Sequence, residues 1–275
     1  MKRSERVLVF TDKPSPHEAV EPEDLTRRRN LRDISLITAE LGRGIAKEII
    51  FCEYPATCVH AKEPPKKLWE LAFGKKAVSA LRSEGLLAPI LSKKADDLKL
   101  KNAEGIILKH KRHAVDAVIA LSNYSTSHTA FRNLLTKVCG ARYVSMPLFD
   151  VRMLEGAMAV DYKALGKRTR LIAREVGRAD SIEIQTPNGT DISFSKKGRK
   201  AHADTGELAR PGSFGNLPAG EVFLAPLEGT ATGRLVLEWA PTRRLLSPVA
   251  LTVRDGSVTG VSGREPFAGL LRDRL

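Results

Sequence analysis

The segment Val115–Leu121, VDAVIAL, is the feature that most restricts the fold, because it is apolar over nearly its whole length. A strand with one face in water alternates apolar and polar residues, whereas a strand covered on both faces is apolar throughout. The segment therefore predicts a central strand of a parallel sheet with helices on both faces. Arg6–Phe10, Glu48–Tyr54 and Tyr143–Met146 are further strand candidates.

Helical segments separate these strands along the chain. Apolar residues recur at helical spacing in Pro22–Leu41 and in Pro65–Leu86, and a third helix is predicted over Ser127–Val138, ended by Gly140. Strands that alternate with helices are typical of a parallel-sheet α/β fold. We predict a Rossmann-like α/β domain over residues 1–153.

The pattern changes near residue 155. A helix is predicted from Tyr162 to Val176, and short alternating runs separated by turn residues follow Gly177. Asp255-Gly256, between two such runs, is a strong hairpin signal. We predict a mostly antiparallel β domain with one helix over residues 154–275, so the fold class is α/β with a second, β-rich domain.

The composition, 42% hydrophobic and 28% charged, is that of a globular chain. No apolar run approaches the roughly 20 residues that a membrane-spanning helix needs, and the first run, Val7–Phe10, is too short for a signal peptide. Cys52, Cys58 and Cys139 lack the spacing of metal ligands, so free thiols are expected. We expect a cytoplasmic protein without a membrane partner.

The chain is strongly basic, with a formal net charge of +13. Its cations cluster at residues 27–29, 109–113, 196–200 and 243–244. A solvated basic face is the simplest interpretation, and an acidic polypeptide partner is the next. Nucleic acid is the less favoured partner, because no helix-turn-helix, zinc finger or aromatic-studded strand accompanies the charge.

One carboxylate stands out in residues 212–231, GSFGNLPAGEVFLAPLEGTA. Glu221 lies between a turn rich in glycine and proline and a strand-like run. Such a turn can hold a carboxylate at a fixed angle, although a glutamate at the start of a strand is also commonly an exposed edge residue. Other acidic residues near it in the sequence are Asp204, Glu207 and Glu228.

Three segments, LEGAMAVDYKAL (154–165), TPNGTDISFSKKGR (186–199) and GSFGNLPAGEVFLAPLEGTATG (212–233), carry a family resemblance. Their order and composition resemble the thermophilic-type metalloaminopeptidases, the aminopeptidase T and aminopeptidase S group. NLPAGEVF is the most specific of the shared motifs. The resemblance implies an enzyme in which two metal ions, usually zinc or cobalt, activate a water, with Glu221 in the position of a metal ligand.

The chain departs from that family in its remaining ligands. The family places a second glutamate, two histidines, a tyrosine and an aspartate in a further C-terminal stretch, whereas here no histidine follows His202 and no tyrosine follows Tyr162. The resemblance therefore implies a C-terminally truncated member without catalytic residues. We expect no cofactor, with zinc or cobalt as the alternative if residues such as His128 complete the site.

The function favoured by these observations is a non-catalytic peptide-binding protein on a truncated peptidase scaffold. Its ligand would be an acidic peptide, such as the precursor or leader peptide of a ribosomal peptide natural product, and uncovered strand edges could also pair two copies into a homodimer. The candidate peptide-binding residues are Asn216, Glu228, Arg243 and Arg244. The alternatives are a metal-dependent aminopeptidase, incomplete or completed by a partner, and a nucleic-acid-associated protein.

Overall fold

The computed structural model describes residues 1–18, 20, 22–241 and 243–275, which form two compact units. The first unit comprises Met1–Tyr162 and Gly206–Ala219, and the second comprises Lys163–Thr205 and Gly220–Leu275. The mixed α/β class predicted from the sequence is confirmed, with a parallel sheet in the first unit and antiparallel strands in the second. The domain division into 1–153 and 154–275 stays a prediction.

The first unit is built around a parallel sheet. Its strands are β1 (Arg6–Lys13), β2 (Glu48–Pro55), β3 (Ala117–Ala120), β4 (Arg142–Ser145) and β8 (Phe214–Asn216). Its helices are α1 (Pro22–Arg43), α2 (Lys66–Phe73), α3 (Lys75–Ser83), α4 (Leu87–Leu91), α5 (Asp97–His110) and α6 (Ala130–Asn133), which continues as a π-helical segment, Leu134–Cys139. No described helix is long and apolar enough to cross a bilayer.

The strand order is β2-β1-β3-β4-β8, and all neighbours are parallel. Alternate residues of β1 enter two different cores. Val7 and Val9 pack with Ala39 of α1, whereas Leu8 and Phe10 pack with residues of α2, α3 and α6. Both faces of the sheet are therefore covered, which explains why its central strands are apolar without alternation.

Two helices predicted from apolar periodicity have different boundaries in the structure. The predicted helix Pro65–Leu86 is broken at Gly74, whose φ of +86° ends α2 before α3 begins. The predicted helix Ser127–Val138 starts only at Ala130, because the Thr129 hydroxyl caps it by accepting the Arg132 N–H. Residues 121–129 are consequently free to form a loop beyond the end of β3.

The second unit contains a five-stranded sheet of order β12-β11-β10-β6-β5 and a two-stranded ladder of β7 and β9. Its elements are α7 (Tyr162–Arg178), β5 (Ser181–Gln185), β6 (Asp191–Ser195), β7 (His202–Asp204), β9 (Glu221–Phe223), β10 (Thr232–Trp239), β11 (Arg244–Arg254), β12 (Ser257–Ser262) and α8 (Pro266–Arg272). Ala268 of α8 packs on Leu245 and Val249 of β11. The predicted strand beginning at Glu221 ends after three residues, at Phe223.

The predicted hairpin turn at Asp255-Gly256 joins β11 to β12, and both residues have positive φ, of 47° and 77°. Replacing Gly256 with alanine should lower the free energy of unfolding of the second unit by roughly 1–3 kcal/mol, as for other strained backbone positions. A Cβ there would lie 2.6 Å from the Gly229 nitrogen. Hydrogen exchange of the β11 and β12 amides measures the effect.

Gly260→Ala is the control for this hairpin, because a Cβ at Gly260 has no neighbour closer than 3.8 Å. It should leave the same amides equally protected. Equal protection in Gly256→Ala would contradict the role of the positive φ.

Candidate functional site

The carboxyl edge of the parallel sheet in the first unit collects polar groups from every strand. In open parallel sheets ligands bind outside this edge, at the point where connections leave a central strand in opposite directions. Here that point lies between β1 and β3, because β1 has β2 on one side and β3 on the other. The polar residues at or just after the strand ends are Asp12, Tyr54, Ser122, Ser145 and Asn216.

Asp12 ties the end of β1 to the loop after β3. Its two carboxylate oxygens accept the backbone N–H of Asn123 at 2.6 Å and of Tyr124 at 3.1 Å. The side chain is buried, and desolvation raises its pKa above the ordinary value even though both hydrogen bonds and the charge of Arg28 act in the other direction. Asp12 is therefore a better proton acceptor than an exposed aspartate.

The loop Ser122–Thr129, SNYSTSHT, which we call the hydroxyl segment, directly follows β3. The Thr126 hydroxyl lies 2.6 Å from the Tyr143 hydroxyl, and both side chains are buried. Ser127 receives a hydrogen bond from Ser125 at 3.0 Å and donates to Asn216 Oδ1 at 3.4 Å. The segment thus lines the sheet edge with linked hydroxyl groups, each able to donate and to accept.

Glu18 and Arg28 form a buried ion pair beside Tyr124. The Arg28 Nη1 donates to Glu18 Oε1 at 2.6 Å, and the Tyr124 hydroxyl donates to the same oxygen at 2.5 Å. Desolvation alone would raise the pKa of Glu18, but the hydrogen bonds from Tyr124, Ser15 and Arg28 leave it lowered. Desolvation and the bond to Glu18 raise the pKa of Tyr124, so the phenol stays protonated at neutral pH.

Backbone strain is concentrated at the same edge. Cys58 and Ala61, which follow β2, and Leu148, which follows β4, have φ of 59°, 64° and 55°. Each such non-glycine residue costs of order 1–3 kcal/mol and is found disproportionately at functional sites. Lys93, at φ of 56°, donates from its Nζ to the carbonyl oxygens of Ala61 at 3.0 Å and His128 at 3.4 Å.

His60 joins the strained loop to the hydroxyl segment. Its Nδ1 accepts the Ser125 N–H at 3.0 Å, and its ring lies 5.4 Å from that of Tyr124. The proton of the neutral imidazole is therefore assigned to Nε2. Burial lowers the pKa of His60, which favours this neutral form at pH 7.

Asp150, in the loop after β4, provides a test of the electrostatics at this edge. The side-chain hydrogen bonds from Arg152 lower its pKa from 3.8 to about 2. The carboxylate thus stabilises the fold above pH 3.8, and this contribution is lost as the pH falls through about 2. Arg152→Ala should raise the pKa of Asp150 toward 3.8, as measured by an NMR titration of its carboxyl carbon. Arg174→Ala should leave it unchanged, and an unchanged pKa in Arg152→Ala would contradict the assignment.

The predicted metal position, Glu221, is the exposed first residue of β9, directly opposite Asp204 of β7. Two residues along the ladder, on the same face, His202 stacks on Phe223 with ring centroids 5.4 Å apart. Within the described part of the chain, no three His, Cys, Asp or Glu side chains are grouped so that they could hold a metal ion. Glu221 as a metal position stays a prediction.

Each predicted peptide-binding residue has a definite environment. Asn216 lies at the end of β8, where it accepts from Ser127. Glu228 pairs with Arg199 at 2.5 Å, and Arg243 pairs with Glu265 at 3.1 Å. Arg244 is exposed at the start of β11. Their role in binding stays a prediction, although Asn216 does lie at the candidate site.

Sequence reasoning missed Asp12, Arg28 and the hydroxyl segment. A signal for two of them was present, because Thr11-Asp12 directly follows the apolar run Val7–Phe10 and SNYSTSHT directly follows Val115–Leu121. The carboxyl ends of parallel strands meet at one edge, so polar residues there are expected to converge. No comparable pattern marks Arg28, which is one of three consecutive arginines.

Comparisons with known proteins bear on what this edge does. The family model described as 2,5-dihydroxypyridine 5,6-dioxygenase matches residues 108–275, more than half of the chain. Among solved structures, a 2,5-dihydroxypyridine dioxygenase from Pseudomonas putida KT2440 matches with a TM-score of 0.55 and 18% identity. The match covers 98% of this chain and 65% of that chain, and at this identity it shows the fold alone. Among curated proteins none matches.

These findings overturn the resemblance to aminopeptidases T and S, and with it the truncated protease, the peptide-binding function in ribosomal peptide biosynthesis and the aminopeptidase alternative. The physical reason lies in the motif. NLPAGEVF spans the end of β8, a turn with a cis Leu217-Pro218 bond and the short strand β9. Its one proline, Pro218, and its one glycine, Gly220, specify backbone geometry, and one backbone geometry can serve unrelated chemistries. The chain belongs to the 2,5-dihydroxypyridine 5,6-dioxygenase family.

Proposed function

We propose that the protein takes part in the dioxygenation of a small hydroxylated aromatic ring, and that the carboxyl edge of the first unit's sheet binds the ring. The observation that carries the proposal is the family match, whose residues 108–275 include the hydroxyl segment, Tyr143 and Asn216. The chain spans 65% of the length of the Pseudomonas dioxygenase. The activity of that enzyme is therefore a proposal for this protein.

The chemistry of the sheet edge supports ring binding. A hydroxylated ring presents groups that both donate and accept hydrogen bonds, and the hydroxyl segment with Tyr143 offers partners of both kinds. Small-molecule sites combine such polar groups with apolar and aromatic walls. The half-buried Phe214 supplies such a wall, with its ring centroid 6.2 Å from that of Tyr143.

Asp12 has the properties of the acceptor for a ring hydroxyl proton. A ring that has lost this proton is more electron-rich and is oxidised more readily. The raised pKa of Asp12, caused by burial, brings its proton affinity closer to that of the ring hydroxyl. The backbone N–H groups of Asn123 and Tyr124 hold the carboxylate in a fixed orientation.

Dioxygenases commonly use iron held by two histidines and one carboxylate. The described residues do not provide such a set, since no three candidate ligands come together among them. They therefore do not fit a metal centre by themselves, and we assign no step to a metal. The residues at the sheet edge have the roles of binding the ring, orienting it and accepting its proton.

The test is oxygen consumption with 2,5-dihydroxypyridine as substrate, with ferrous iron supplied and with iron omitted. Ring binding is measured separately, by calorimetric titration without oxygen. The proposal predicts saturable binding and coupled loss of oxygen and substrate. Thr126→Val should weaken ring binding by about tenfold, as expected for a lost buried hydrogen bond.

Thr259→Val is the matched control, because Thr259 is exposed in β12 of the second unit. It should bind the ring as the wild type does. If the wild type neither binds 2,5-dihydroxypyridine nor consumes oxygen with it, the proposal is wrong. Binding that is identical in both variants and the wild type would move the site away from the hydroxyl segment.

A further inference from the structure

Arg28 is a buried cation whose hydrogen-bonding capacity is only partly used. Its side chain is 1% exposed, and Nη1 donates to Glu18. Nε and Nη2 are both buried and have no hydrogen-bond partner among the described residues. Buried donors without acceptors are costly, and the cost is larger for a charged group.

The two unused nitrogens form one side of the guanidinium group. The N–H of Nε and one N–H of Nη2 point in the same direction, roughly parallel to each other, and we call this pair the Arg28 fork. A carboxylate presents two oxygens at the matching spacing and accepts both bonds at once. A lysine ammonium cannot reproduce this paired geometry.

Among the residues that the structure describes, the two carboxylates that act on Arg28, those of Glu18 and Asp12, have both oxygens engaged. Glu18 Oε1 accepts from Arg28 Nη1 and from Tyr124, and Glu18 Oε2 accepts the Ser15 N–H at 3.1 Å. Both oxygens of Asp12 accept backbone N–H groups, although the charge of Arg28 acts on Asp12. Among the described residues, neither carboxylate therefore satisfies the Arg28 fork.

The surroundings of the guanidinium suit a ligand at the sheet edge. Arg28 lies over the Tyr124 ring, 5.8 Å from its centroid. Tyr124 belongs to the loop that follows β3, and Asp12 ends β1, so the Arg28 fork lies where an open parallel sheet binds ligands. An ionised Asp12 repels a second carboxylate. Burial raises the pKa of Asp12, so the protonated fraction is larger and this repulsion is weaker.

We propose that the Arg28 fork binds the carboxylate of a small organic acid at the carboxyl end of β1. The proposal does not depend on the dioxygenase function. Arg28, Glu18 and Asp12 precede the part of the chain matched by the family model, which begins at residue 108.

The experiment titrates the full chain with benzoate and, in parallel, with benzamide and inorganic phosphate. Benzamide has the shape of benzoate without its charge, and phosphate has charge without the planar pair of oxygens. NMR of the arginine Nε–H groups in the wild type reports directly on the Arg28 fork. We expect benzoate to bind saturably and to shift one arginine Nε–H resonance downfield, and we expect benzamide to do neither.

Two variants assign the resonance and test the geometry. Arg28→Lys keeps the charge but removes the fork, and should weaken benzoate binding at least about tenfold, as for loss of a bidentate charged pair. Arg43→Lys changes an exposed arginine at the other end of α1 and should bind benzoate as the wild type does. Thermal unfolding without ligand shows whether each variant is folded.

The proposal can be tested even if Arg28→Lys does not fold, because the wild-type titrations and arginine Nε–H spectra do not require the variant. No saturable benzoate binding, or binding without a shifted arginine Nε–H, would overturn the proposal. Equal affinity for benzoate and benzamide, or a preference for phosphate, would also overturn it. None of these measurements requires oxygen, so failure of the dioxygenase assay does not affect them.

Discussion

Replacing Phe131 with alanine should lower the free energy of unfolding of the first unit by about 3–5 kcal/mol, the range found for buried phenylalanine. Phe131 is fully buried at the start of α6. Its ring centroid lies 5.5 Å from that of Trp69 and 5.7 Å from that of Phe73. These neighbours belong to a different helix, α2, and cannot close the cavity without shifting that helix.

Urea unfolding followed by the fluorescence of Trp69 measures this effect, in a Trp239→Phe background that removes the tryptophan of the second unit. Phe223→Ala is the matched control, since Phe223 is 52% exposed in β9. It should change stability by less than about 1 kcal/mol, as surface substitutions usually do. If Phe131→Ala cost no more than this control, the packing of Phe131 against Trp69 and Phe73 would not stabilise the first unit.

Asp12→Ala should lower the free energy of unfolding by about 2–4 kcal/mol, because it leaves one buried and one partly buried N–H donor unpaired and an unpaired buried donor costs roughly 1–3 kcal/mol. The donors are those of Asn123 and Tyr124, which hold the hydroxyl segment against β1. The variant should also weaken the binding of 2,5-dihydroxypyridine by tenfold or more, since about 1.4 kcal/mol of lost interaction corresponds to tenfold. Urea unfolding and anaerobic calorimetry measure the two effects.

Asp116→Ala is the control for Asp12. Asp116 also accepts a backbone N–H, that of Arg6 at 2.8 Å, but it is exposed and precedes β3 rather than following a strand. Its loss should cost less than about 1 kcal/mol, because water can replace the carboxylate. Unchanged ring affinity in a folded Asp12→Ala variant would exclude Asp12 from the binding surface.

The fold class was predictable because it depends on hydrophobic patterning, which is local. Val7–Phe10 is apolar throughout, Val115–Leu121 is apolar except for Asp116, and each places side chains in the cores on both faces of the sheet. The Asp255-Gly256 turn was predictable for a similar reason, since positive φ at two successive positions restricts the residues that fit. The break at Gly74 was missed, because apolar spacing continues across it while the backbone does not.

The family was not predictable from the NLPAGEVF motif. The motif specifies a turn and a short strand, and it places Glu221 at an exposed position opposite Asp204. A motif that specifies backbone geometry does not by itself identify the reaction. The family match covers residues 108–275, far more than the eight residues of the motif, and therefore identifies the family.

By itself the sequence determined the layered α/β architecture, the change to antiparallel strands and the hairpin turn, because each follows from patterns within a few residues. Only the tertiary structure brought Asp12 to Asn123 and Tyr124, more than 100 positions away, and Glu18 between Arg28 and Tyr124. These contacts depend on the strand order β2-β1-β3-β4-β8, which sets β1 beside β3 although one strand and five α-helices separate them in the chain. The candidate site is a property of that order, since parallel strands bring distant carboxyl ends to one edge.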